Sequence, residues 1–108
     1  MNNIISRIQT KFPNRQISLI YDIGDADPDI VVVEDWTFFQ FSALPSLKTI
    51  VVVTSVEDYI GWRRMLRNFD VSRIAVYIII ENQIDDDKKS LVNRLIEQDK
   101  QSGIKFIR

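Results

Sequence analysis

Apolar residues recur along this chain in two spacings. Between residues 3 and 12, Ile4, Ile5, Ile8 and Phe12 share one helical face, while Arg7, Gln9 and Lys11 lie elsewhere. Asn2 or Asn3 supplies a cap and Pro13-Asn14 a stop, so a helix is expected there. A short strand is expected over residues 17–21, followed by a polar loop from Asp22 to Pro28 that carries Gly24. Residues 29–33, 49–54 and 74–80 have a different pattern, near-continuous Ile and Val, which marks strands buried on both faces of a parallel sheet.

Helix signals return after residue 54. Ser55 is a candidate N-cap, and Glu57 and Asp58 occupy the first turn, where the helix dipole favours negative charge. Tyr59, Trp62, Leu66 and Phe69 follow at helical spacing, supported by Met65. Gly61 interrupts this stripe at a cost of about 1 kcal/mol relative to alanine, which leads one to expect close packing or a bend there. Asp85-Asp86-Asp87 opens a last helix with the stripe Leu91, Val92, Leu95 and Ile96, and Ser102-Gly103 closes it as a left-handed cap would. Residues 104–107 complete a final strand, so residues 73–107 read strand, helix, strand, with a crossover long enough for parallel pairing. The link between residues 17–21 and 29–33 is only about seven residues, against the dozen or so of a parallel crossover. Those two strands are therefore expected to be antiparallel or not neighbours. Residues 36–47 fit either a turn of helix or an irregular crossover. The elements together predict one α/β domain over residues 1–108, three-layered and flavodoxin-like, with a mostly parallel sheet of about five strands.

Composition narrows the chemistry more than the class. Apolar residues make up 45% of the 108 and charged residues 27%, as in an ordinary globular chain, and the net charge of −1 exerts no long-range pull on nucleic acid or anionic lipid. There is no cysteine and no histidine. That removes disulfides, thiolate sites, serine–histidine triads and most zinc centres. Three glycines, Gly24, Gly61 and Gly103, build neither a dinucleotide fingerprint nor a P-loop. No unbroken apolar stretch opens the chain, and the run 74–80 is too short to span a bilayer, so a cytoplasmic protein without membrane contact is expected.

Chemistry is sought where parallel sheets place it, beyond the carboxyl ends of the strands. Those ends carry Glu34-Asp35, Thr54-Ser55 and Glu81-Asn82. If the three strands run parallel, Glu34, Asp35 and Glu81 are candidate Mg²⁺ ligands, with the Thr54 and Ser55 hydroxyls alongside; equally, all five serve as caps and turn formers. The acids of Asp25-Ala26-Asp27-Pro28-Asp29 alternate as a calcium loop begins, but Ile30 and Trp36 stand where glycine and glutamate are required. Arg63, Arg64 and Arg67 are expected on the helix face opposite the Tyr59/Trp62 stripe, with Arg73 nearby. Such a cluster meets phosphates or an acidic protein, or is a solvated face; no aromatic residue interleaves with it as in a single-strand binder. Trp36, Phe38, Phe39 and Phe41 are too dense for one buried face of a short crossover, and mark either a partner surface or core.

Pro28-Asp29-Ile30-Val31-Val32-Val33-Glu34, followed by Thr49-Ile50-Val51-Val52-Val53-Thr54-Ser55, resembles the third and fourth strands of a response-regulator receiver domain. The strand at 74–80 and the helix at 86–101 then resemble its last strand and helix, so the likeness covers residues 28–101. It implies a signalling domain in which Thr54 holds the hydroxyl position, with Glu34 where the family has its phosphoacceptor aspartate and Asp35 one residue on. No lysine ends the 74–80 strand, and the first strand with its acidic pair is missing. The segment between 34 and 49 is short for the family's helix. The likeness thus implies a pseudo-receiver that is not phosphorylated. A second likeness, through Phe38-Phe39-Gln40-Phe41-Ser42-Ala43-Leu44 and Arg63-Arg64-Met65-Leu66, is to anti-sigma-antagonist domains, with Ser42 as the phosphorylated serine; Pro45 cuts off the helix that should follow.

The expectation is a non-enzymatic regulatory or adaptor domain with no cofactor, working through a protein partner, a second copy of itself included. The alternatives are a Mg²⁺-dependent enzyme or phosphoacceptor using the rim carboxylates, and a nucleic-acid binder using Arg63, Arg64 and Arg67.

Overall fold

A computed structural model of the chain describes residues 2–15, 17–19, 28–34, 46–64, 72–81 and 85–107. Its elements are, in order, α1 (Asn2–Lys11), β1 (Ile17–Leu19), β2 (Ile30–Glu34), β3 (Thr49–Thr54), α2 (Val56–Trp62), β4 (Ala75–Ile80), α3 (Asp86–Gln101) and β5 (Lys105–Phe106). All four strand pairings are parallel. The three apolar runs lie side by side in one direction, with Ile30 opposite Thr49 and Thr49 opposite Ala75.

Because β2 and β3 are apolar at successive positions, neither sheet face tolerates water, and each face is covered. Val31, Val33, Ile50, Val52, Val76 and Ile78 face Val56, Tyr59 and Trp62 of α2 and Val92 and Ile96 of α3. The alternate residues, Ile30, Val32, Val51, Val53 and Ile79, face Ile4, Ile8 and Phe12. The result is three layers, α1 over the sheet and α2 with α3 beneath it, as in a flavodoxin-like domain. The strands follow chain order, β1-β2-β3-β4-β5. Flavodoxin-like sheets with the order 2-1-3-4-5 reverse direction beside their first strand. These strands do not.

Local signals behave largely as expected. Ser55 Oγ accepts the Asp58 N–H at 3.2 Å and starts α2 directly after β3. Asn14 takes a positive φ of 67° just past α1, and Gly103 one of 97° just past α3. Two expectations are corrected. β1 pairs β2 in parallel, Ile17 opposite Ile30 and Leu19 opposite Val32, and is not antiparallel. Leu19, the last described residue paired in β1, stands eleven positions before Ile30, which leaves ten residues for the return. Ten residues reach at most about 35 Å, ample for a return along a three-residue strand. Gly61, in turn, is not closely packed: a Cβ built there meets nothing within 4 Å.

With that space open, Gly61→Ala is expected to stabilise the fold by about 0.5–1 kcal/mol, read as a higher midpoint in urea at unchanged slope.

Candidate functional site

The carboxyl ends of β2, β3 and β4 do share one rim. Glu34 lies in register with Val53, Thr54 with Ile80, and the Glu81 N–H donates to the Thr54 carbonyl at 2.9 Å. Side-chain direction divides these groups, however. Glu34 sits in the row of Val53, on the α1 side of the sheet, and is exposed. Thr54 is one residue further and points to the other side, where it is buried. Its Oγ1 accepts the Trp62 Nε1–H at 3.1 Å and donates to the Ser55 carbonyl at 3.1 Å. The Ser55 hydroxyl caps α2. Glu81 is exposed, and among the described residues no three carboxylates come together as a metal would need. Asp35 of the expected Mg²⁺ set lies outside the described residues, as do Trp36, Phe38, Phe39, Phe41 and Ser42.

The basic cluster is rearranged. Arg67 lies outside the described residues, and Arg64 and Arg73 are exposed. Arg63 does not occupy a face opposite the Tyr59 stripe: four residues after Tyr59, it stands on the same face. Its Nη2 donates to Asp99 Oδ1 at 2.8 Å and its Nε to Asp99 Oδ2 at 3.2 Å, a forked pair whose side chains are 10% and 11% exposed. Nη2 also reaches Gln98 Oε1 at 3.4 Å. The fully buried Tyr59 hydroxyl donates to Asp99 Oδ2. Burial opposes the Arg63 charge, but the bonds to Asp99 and Tyr59 outweigh it and hold the guanidinium above its ordinary range. Burial first, then the hydrogen bond to Asp99, also raises the Tyr59 phenol above its usual value. This triad braces α2 against α3. Sequence reading missed it, although Asp99 continues the buried positions Val92 and Ile96 at helical spacing, and a carboxylate there requires an internal partner.

A second polar cluster marks the amino edge of the sheet. Arg15 Nε donates to Asp29 Oδ2 at 3.0 Å and its Nη2 to Thr49 Oγ1 at 3.3 Å, with its guanidinium 5.5 Å from the Phe12 ring centroid. The Asp29 carbonyl accepts the Lys48 and Thr49 N–H groups at 2.9 and 3.0 Å, which ties the starts of β2 and β3. Asp29 Oδ1 is buried without a hydrogen-bond partner.

Comparison with known protein families, with curated proteins and with solved structures finds no match to this chain. No helix among the described residues is long and apolar enough to cross a membrane.

Two measurements check the brace. Asp99→Ala strands a buried guanidinium and is expected to cost about 3 kcal/mol in urea unfolding. Tyr59→Phe removes one hydrogen bond, costing about 1 kcal/mol. Because folding raises the Tyr59 pKa, the stability it contributes is complete below about pH 10, the unfolded value, and falls as pH rises further. Unfolding free energies between pH 9 and 11.5 should therefore decline more steeply in the parent chain than in Tyr59→Phe.

Proposed function

We propose that this chain is a non-enzymatic regulatory or adaptor domain that acts through protein–protein contacts. The division of the rim carries this reading. A phosphoryl group or a Mg²⁺ ion held at the strand ends needs carboxylate and hydroxyl oxygens aimed at one point, whereas Glu34 lies on the α1 side and Thr54 is turned beneath the sheet toward Trp62. Ser55 is likewise engaged as a cap. What the rim offers to solvent is charge on a rigid frame, which suits recognition of another surface.

The receiver resemblance fits this reading as a pseudo-receiver. Three neighbouring parallel strands, β2, β3 and β4, and the helix α3 support it, while the hydroxyl position and the glutamate at 34 are at odds with a phosphorylation cycle. The Arg63/Arg64/Arg67 nucleic-acid reading is weakened by the engagement of Arg63 with Asp99.

Mg²⁺ titration to 10 mM followed by backbone amide NMR, with and without a small phosphodonor, tests the proposal. Amide shifts near 34, 54 and 81 should stay diffuse and small, and the mass should not change. Saturable shifts confined to those residues, or a gain of one phosphoryl group, would establish the Mg²⁺-dependent alternative instead.

A further inference from the structure

Parallel topology places every strand start at one end of the sheet and every strand finish at the other, and α2 and α3 run back between them. The charges are sorted along the same axis. Glu34, Asp58, Glu81, Asp85, Asp86 and Asp87 are exposed at strand ends or first helical turns on the carboxyl side, with no ion pair among the described residues. On the amino side, Asp29 and Asp99 are taken up by Arg15 and Arg63, and Glu97 by Lys100. Lys48 and Arg73, just before β3 and β4, and Arg64, just past α2, remain exposed there. Helix dipoles alone do not account for this: the N-termini of α2 and α3 supply about half a charge each. Among the described residues, six carboxylates exceed that by several units even after the exposed Lys89, and Arg7 beside the Ile107 carbonyl, are set against them.

We propose that the basic amino edge of one molecule docks on the acidic carboxyl rim of a second copy, head to tail. The two edges are complementary in charge within a chain whose net charge is −1, so that molecules do not repel as wholes while their opposite ends attract. The two edges are different surfaces, so the contact is heterologous and each docked molecule presents a fresh edge to the next. Such contacts propagate rather than close at a dimer. Exposed ion pairs are individually weak and screened by salt, which puts association at roughly millimolar protein and low ionic strength. The inference rests on the protein-contact reading above and names a partner for it.

Static light scattering on the full chain, from 0.05 to 1 mM protein, tests it in 10 mM and 500 mM NaCl. The weight-average mass should rise continuously at low salt, without a plateau at twice the monomer, and return to the monomer value at high salt. Lys48→Glu/Arg73→Glu and Glu81→Lys/Asp86→Lys/Asp87→Lys should each remain monomeric alone, because each carries like charges at both ends. Mixed, they should associate again. A monomer at 1 mM in low salt, a salt-insensitive dimer, or no recovery on mixing overturns the head-to-tail contact. None of those results touches the Mg²⁺ and phosphodonor experiment, so self-association and the wider protein-contact reading fail separately.

Discussion

Strands that are apolar on successive residues have no side to give to water, and the rest of the molecule answers that constraint. β2 and β3 carry eight Ile or Val residues between them, all buried. Burying a side chain of that kind contributes about 1.5–3 kcal/mol, so leaving either face open would forfeit about as much as the net stability of an ordinary small domain. Helices must therefore lie on both faces. The two ends of the sheet are open to polar groups, and it is at those ends that the capping hydroxyls, the rim carboxylates and the Arg15–Asp29–Thr49 cluster are found.

The face beneath the sheet has two helices to align, and apolar contact alone is indifferent to small slides between them. The forked bond from Arg63 to Asp99, with the Tyr59 hydroxyl on the same carboxylate, fixes one relative position. A buried charge pair of this kind adds little stability over apolar residues of equal volume, yet losing one member is costly. Its contribution is to orientation. The Trp62 indole on Thr54 anchors the other side of α2 to the end of β3.

How much of this could be read from the chain depended on whether the signal was local. β3 coincides with the predicted run because its six residues are apolar or β-branched and Ser55 caps the next helix at once. α3 was equally legible from its acidic start and Gly103. The parallel pairing of β1 is not, since an apolar pattern over residues 17–21 leaves a link of only about seven residues, short for a parallel crossover. A glycine inside a helical stripe suggests close packing or a bend, and at Gly61 the space around it is open, against the first of these. At the rim, the gathering of strand ends followed from parallel pairing, but the separation of Glu34 from Thr54 needed the register, because a shift of one residue exchanges the faces. Arg63 was assigned to the wrong face although its i,i+4 relation to Tyr59 was visible; the carboxylate that draws it inward lies thirty-six residues away.

Among the described residues, one layer is a single ten-residue helix, and its seat is assembled from distant parts of the chain. Ile4, Ile8 and Phe12 lie against Ile30, Val51, Ile79 and Ile107, and Arg7 Nη2 reaches the Ile107 carbonyl at 3.5 Å, across a sequence separation of one hundred residues. An isolated helix of that length is marginal in water. During synthesis α1 emerges before the strands, yet the surface that holds it is complete only when β5 and Ile107 have been made. The docking of α1 is thus a closing event of high contact order, slow compared with the local strand–helix–strand units. Until it occurs, Val32, Val51 and Val53 lack the helix that covers them.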